Sequence, residues 1–376
     1  MSAPFLPFTR PTLDEETIQG VVDVLRSGWL ATGPNVERFE AALSEYLGGR
    51  AVRVLTSATA GLEIALLAAG IGPGDEVITP AMSFTATANV IARVGAKPVF
   101  VDVDLDTRNI DIALTRAAIT PKTRAVMPVH FSGLPVDMDG LYALASEFKL
   151  RVIEDAAHAI GSAFAGRRIG SFGDLVCFSF HPNKNMTTLE GGALVADSPQ
   201  ELAAIELHRF HGLERHPDGT MEVTLPGGKS NLTDVAARVG LGQLPRLDGF
   251  NDRRRELAGL YYRLLADEAG LRLPARGDAG HSWHMFAPLL DLPRLRIGRG
   301  EFLKLMRERG IGVGVHYPAI HLFSYYRAMG YKEGDFPNAE RIGRETVTLP
   351  LFPTMTDADV QRVCVALREI LRENLR

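Results

Sequence analysis

Apolar positions recur with helical spacing at the start of the chain: over 14–27, Ile18, Val21, Val22 and Leu25 share one face, which predicts an amphipathic helix ending at Gly28. The breakers in 29–34 predict a loop, and a second helix is expected over about 36–47. Short apolar runs then alternate with helical stretches. Strands are expected at Ala51–Leu55, 76–79, 98–102, 125–129, 151–154, 175–178 and 192–195, with helices at 62–69, 86–94, Met138–Phe148 and 200–210 between them. Such alternation argues for a mostly parallel sheet covered by helices on both faces. The polar, glycine-bearing stretch 211–231 has no clear period and is expected to be a functional excursion, for example one that reaches a neighbouring subunit. A helix over 253–265 should lead into a smaller C-terminal unit with strands at 283–290 and 312–317 and helices at 299–309 and 357–371. The expected division is 1–250 and 251–376, since 376 residues exceed what one hydrophobic core organises.

Composition narrows the class further. Apolar residues make up 46% and charged residues 23%, and the formal charge of -4 gives no electrostatic case for nucleic acid. Cys177 and Cys364 lie in apolar runs and read as buried thiols rather than a disulfide or a metal site. The N-terminal residues lack a basic segment followed by an apolar core, so a cytoplasmic enzyme without membrane insertion is expected.

The chain is organised around Ser179-Phe180-His181-Pro182-Asn183-Lys184-Asn185, closed by Glu190-Gly191-Gly192. A proline precedes Lys184 and two glycines follow it, so this lysine belongs to a loop at the end of a buried strand, where α/β proteins place their chemistry. An amine desolvated there loses its proton more easily and becomes a nucleophile for a carbonyl. Asp155 follows the apolar pair Val152-Ile153 at the end of another strand. Ahead of both, the small residues Ser57-Ala58-Thr59 open an apolar helix after a strand, an arrangement whose free backbone N–H groups favour a phosphate. Amine, carboxylate, the Ser179 hydroxyl and a phosphate site are together what pyridoxal 5'-phosphate (PLP) requires.

Thr56 to Leu66, Val152 to Ala159, Phe178 to Asn185 and Glu190-Gly191-Gly192 resemble the DegT/DnrJ/EryC1/StrS family of sugar aminotransferases, and the similarity extends from Ser27 to Pro353. The resemblance implies the PLP-dependent aspartate-aminotransferase fold (type I), with a large, mostly parallel sheet domain and a smaller C-terminal α/β domain. It makes Lys184 the Schiff-base lysine and proton shuttle and Asp155 the partner of the pyridinium. His158 would lie by the cofactor's 3-oxygen, Phe84 would stack on its ring, and Ala58, Thr59 and Ser179 would hold its phosphate. Asn231 would reach the cofactor of the partner in a homodimer with shared sites. Glutamate would donate the amino group to a nucleotide-linked keto sugar. Ser57 to Gly61, Phe210 to Leu213 and Asn231 to Asp234 look most like the branch that aminates a UDP-4-keto pentose for lipid A modification; a TDP-linked 3- or 4-keto sugar is the alternative acceptor. Two departures stand out: position 158 is Gln in many relatives, and Leu189 replaces a usually smaller residue.

Taken singly, His158 fits a satisfied histidine at a helix start, Phe84 a core residue, and Asp155 and Asn231 helix caps. For the substrate mouth, Trp29, His316, Tyr317 and His321 offer aromatic surface and imidazoles without an arginine. Asp102-Val103-Asp104 has the D-x-D form of a metal-dependent nucleotide-sugar glycosyltransferase, a competing reading. A PLP-binding sensor without turnover is another. A dinucleotide-binding dehydrogenase is disfavoured because no G-x-G-x-x-G follows the first strand.

Overall fold

The computed structural model describes residues 4–376. Seven strands form the central sheet: β1 Ala51–Leu55, β2 Glu76–Pro80, β3 Lys97–Val101, β4 Thr123–Val126, β5 Arg151–Asp155, β6 Leu175–Ser179 and β7 Gly192–Ala196. Their order is β1-β7-β6-β5-β4-β2-β3. All neighbours are parallel except β7, which runs antiparallel to both β1 and β6. β2, β6 and β7 are buried along their whole length, which explains their unbroken apolar runs. With β2, β4, β5 and β6 parallel, their carboxyl ends meet at one sheet edge, where β5 ends on Asp155 and the loops carrying Ser83, Val129 and Lys184 follow.

One face of the sheet packs on Phe39, Leu43, Leu141 and Phe180, and the other on Leu62, Leu66 and Ile91. A separate core gathers Leu257, Tyr261, Phe286, Phe302, Leu349, Val363 and Leu367, and Leu6 from the N-terminal segment packs into it. The helix Leu247–Leu265 joins the two, with Leu247 in the first core and Leu257 in the second. It starts earlier than the sequence suggests, because the Pro245-Arg246 turn before it and Gly249 within it look like breakers but sit in a 3-10 turn and in the helix's first turns.

The C-terminal strands expected at 283–290 and 312–317 do not form as ladders. Only Leu289–Leu290 pairs as a strand, with Leu271–Arg272. Elsewhere these runs make isolated bridges, Phe286 with Leu349 and Gly314 with Thr348. The apolar residues of 283–290 are buried and those of 312–317 only partly, and the backbone bonds of the first run are divided: His284 N donates to Ser132 O at 2.9 Å, while Phe286 O and Pro288 O accept from Leu349 N at 2.9 Å and Val347 N at 3.0 Å. The excursion 211–231 holds a short antiparallel hairpin, Leu213–Arg215 with Met221–Val223, whose Met221 and Val223 are 59% and 62% exposed. Among the described residues no helix is long and apolar enough to cross a membrane.

Candidate active site

A cavity of about 320 Å³ opens at the carboxyl edge of the sheet, lined by Ser57, Ala58, Thr59, Phe84, Asp155, His158, Ser179, Lys184, Glu190, Gly191, His316 and Tyr317, among others. At one end the helix Ala58–Ala68 begins. Ser57 caps it, its hydroxyl accepting from Ala60 N at 3.1 Å and its carbonyl from Gly61 N at 3.1 Å. The amides of Ala58 and Thr59 have no acceptor among the described residues and are free for an anion. The start of β7 lies against this turn. A Cβ on Gly192 would fall 2.5 Å from Ala58 N, so a side chain there would push into the helix start. Ser179 Oγ accepts only a long 3.5 Å contact from His181 N.

At the centre stands Asp155, 5% exposed. Thr87 Oγ1 donates to its Oδ2 at 2.8 Å and Ala157 N to its Oδ1 at 3.1 Å. Thr87 has a single proton, so Ser83 Oγ, 2.8 Å away, donates to Thr87 in turn. Burial pushes the Asp155 carboxyl up, opposed by the Thr87 and Ala157 hydrogen bonds and by the charge of Lys184. Both direct donors are neutral, so a further cationic N–H would be a favourable partner.

At the other end Lys184 is half-buried, and its Nζ has no hydrogen-bond partner among the described residues. Desolvation lowers its pKa to about 8, with Asp155 pulling the other way. The imidazoles and the phenol beside it are neutral. Burial, and then Lys184 itself, holds His158 well below and His316 down at about 4. Burial, followed by the charge of Asp155, raises the Tyr317 phenol, which keeps its proton. His158 Nδ1 accepts from Ser132 N at 3.3 Å, so its proton sits on Nε2 and points to Tyr317 Oη at 3.2 Å. Tyr317 is thereby left with its own proton to donate. Phe84, 54% exposed, packs on Tyr317 with ring centres 5.6 Å apart.

The fold therefore brings Ala58, Thr59, Phe84, Asp155, His158, Ser179, Lys184, His316 and Tyr317 to one cavity. Three expected residues lie elsewhere. Trp29 is 60% exposed with its indole on Thr32 O at 3.1 Å. Asn231 is tied to Thr32 Oγ1 and Lys229 Nζ and does not line this cavity of its own chain. His321, expected at the mouth, is fully buried against Glu340 Oε1 at 3.0 Å; its imidazole serves the packing of the 337–345 helix and cannot reach the cavity. The aspartates of the D-x-D segment are spent on backbone. Asp102 accepts from Val103, Asn338 and Ala339 at 2.8 to 2.9 Å, and Asp104 from Asp106 and Thr107 at 3.0 and 2.7 Å. The sequence reading missed Ser83 and Thr87, whose signal was a run of hydroxyls directly after a buried strand, and His284, which gave no signal because its neighbours in space, among them Ser132, His158, Asn185 and Arg254, are distant in sequence.

The residues present fit PLP on grounds internal to the structure: two amides without acceptors, a buried carboxylate met by neutral donors, and an amine with a lowered pKa in one cavity.

Comparison with known proteins agrees. The model of the DegT/DnrJ/EryC1/StrS aminotransferase family matches residues 11–368. The chain is 42% identical over 379 residues to the spore coat polysaccharide biosynthesis protein SpsC of Bacillus subtilis, covering 98% of this chain and 97% of that one. Among solved structures it is similar to the putative sugar aminotransferase Spr1654 of Streptococcus pneumoniae in its PMP form, with a TM-score of 0.92, 31% identity and 98% and 99% of the two chains covered. It is also similar to DesI, solved in the presence of its TDP-sugar product, with a TM-score of 0.88, 32% identity and 98% and 93% covered. The chain belongs to the DegT/DnrJ/EryC1/StrS aminotransferase family: it has the fold of that family and is a PLP-dependent sugar aminotransferase.

Proposed function

We propose that this sugar aminotransferase takes the amino group of L-glutamate and delivers it to the carbonyl carbon of a nucleotide-linked keto sugar, with a UDP-4-keto sugar as the preferred acceptor. The observation that carries the reading is the meeting of Lys184, Asp155 and the free amides of Ala58 and Thr59 in one cavity. On this reading Ala58, Thr59 and Ser179 hold the cofactor phosphate, Phe84 covers its ring, and Asp155 keeps the proton on the pyridine nitrogen. Bound PLP supplies the electron sink for the carbon that loses its proton. Lys184 Nζ carries that proton between carbons, which its pKa of about 8 suits, since both protonation states are populated near neutral pH. His158, fixed as the Nε2–H tautomer by Ser132, keeps a neutral donor chain through Tyr317 toward the reacting oxygen.

The acceptor class is supported by the likeness to sugar aminotransferases, among them DesI, solved in the presence of its TDP-sugar product; the cavity walls of this chain contain no arginine among the described residues to clamp a distal carboxylate. The carboxylates of glutamate would then meet groups from a second subunit. A homodimer with shared sites fits the exposed hairpin at Leu213–Val223 and Asn231, which does not line its own cavity. A TDP-linked acceptor is the second reading, favoured by the likeness to DesI.

The test is incubation with ¹⁵N-glutamate and a panel of UDP- and TDP-linked 3- and 4-keto sugars, followed by mass spectrometry. The expected result is a ¹⁵N-labelled amino sugar formed fastest from a UDP-4-keto sugar. Labelled product from TDP sugars alone would replace the nucleotide assignment, and no labelled sugar from any acceptor would reject the function.

A further inference from the structure

One backbone group, Ser282 O, dictates the protons of a side-chain network beside Lys184. Ser282 O is an obligatory acceptor 2.9 Å from Asn185 Nδ2, so the Asn185 amide is oriented with its nitrogen toward Ser282 and toward Asn251 Oδ1 at 2.7 Å. Asn185 Oδ1 then faces His284 Nδ1 at 3.2 Å, and that nitrogen must carry the proton. His284 is itself fixed at both ends of its backbone: its N donates to Ser132 O at 2.9 Å, and Arg254 Nη1 donates to its O at 3.2 Å. Its ring lies against the ring of His158, with centres 4.5 Å apart and planes at 31°. Asn185, Asn251, His284 and Arg254 are at most 4% exposed, so none of these bonds is exchanged for water.

Asn185 is the chain neighbour of Lys184, and its side chain uses both amide hydrogens and its oxygen in this network. We propose that His284, through the hydrogen bond it donates to Asn185, is a positioning residue that fixes the backbone from which Lys184 reaches the cavity. Among the described residues the Lys184 amine has no hydrogen-bond partner, so its aim depends on its backbone; a displacement of about 1 Å in a reacting group can cost on the order of a hundredfold in rate. The contact with His158 is a second role for the same ring, and two substitutions separate them. His284→Asn keeps a donor near the Nδ1 position and removes the ring. His284→Phe keeps a ring against His158 and removes the donor.

This inference rests on the reading of Lys184 as the cofactor-bearing lysine. The experiment compares the purified holoenzyme with both variants in three respects: kcat and KM for the keto sugar, PLP content, and the rate at which borohydride fixes PLP onto the peptide holding Lys184. We expect His284→Phe to lose tenfold or more in kcat with KM within about threefold, and to be fixed by borohydride at a changed rate at equal PLP content. His284→Asn should stay within about threefold of the unaltered enzyme in all of them. Equal losses in the two variants, or none in either, would overturn the positioning role. If His284→Phe does not fold, Asn185→Ala removes the same bond from the other side, and an unchanged kcat there overturns it as well. Absence of label at Lys184 in the unaltered enzyme would instead sink the underlying reading and this inference with it; label present with an unaffected His284→Phe sinks only the inference.

Discussion

The two ends of the cavity are built on different principles. The end at Ser57–Thr59 is made of backbone: a capped helix start, two free amides and glycines that let β7 approach. The end at Lys184 is made of side chains from four separate stretches, 130–136, 155–158, 184–185 and 281–285, together with His316 and Tyr317. A backbone site tolerates many substitutions so long as the chain path is kept. A side-chain site depends on each hydrogen bond, and it is where replacements should cost most.

The largest effect is expected from Lys184→Ala, which removes the amine and should lower transamination by at least about a thousandfold, measured by glutamate-dependent product formation. Asp155→Asn keeps shape and loses charge; we expect at least about a hundredfold lower kcat, roughly 2.7 kcal/mol of barrier. A near-native rate in that variant would reduce the carboxylate to a cap. Gly192→Ala probes the other end: its Cβ would press on Ala58 N, so PLP should bind at least about tenfold more weakly, by equilibrium dialysis, while the titration of Lys184 stays in place. A shifted titration with unchanged PLP affinity would mean that the two ends are not separable.

The pH dependence sharpens the contrast. The free amine is the nucleophile, so recombination of apoenzyme with PLP should accelerate as pH rises, with a midpoint near pH 8. At neutral pH a lysine at its ordinary pKa of about 10.4 would have a free-amine fraction smaller by roughly two orders of magnitude. A stopped-flow midpoint above pH 9.5 would show that burial does not lower this amine. The smallest effect is expected at Leu189, 46% exposed and held at φ 72 in the left-handed region. Leu189→Gly should stabilise the protein by about 1 kcal/mol in urea unfolding, since the side chain gains little burial to offset its backbone strain.

The same contrast explains what could be read from the sequence. The strand and helix alternation from Ala51 to Ala196 was legible because each buried strand is a continuous apolar run with breakers on both sides. Lys184, Asp155 and the turn at Ser57 were legible because each lies within a few residues of a strand end or a helix start. The run 283–290 does not form the expected strand because its apolar side chains fill two cores while its backbone bonds are divided between Ser132, about 150 residues away, and the segment 347–349. His321 was placed at the mouth because it is near Tyr317 in sequence. The 3-10 turn Ile320–Leu322 carries it inward to Glu340 instead. Long-range hydrogen bonds of this kind leave no periodic trace.

The most direct measurement is a single-turnover competition: enzyme first loaded with glutamate and freed of excess donor is mixed with a UDP-4-keto sugar or with oxaloacetate, and the return of the visible cofactor band is followed. The keto sugar should discharge the loaded enzyme faster. Faster discharge by oxaloacetate than by every keto sugar tried would contradict the proposed acceptor and leave only the cofactor chemistry standing.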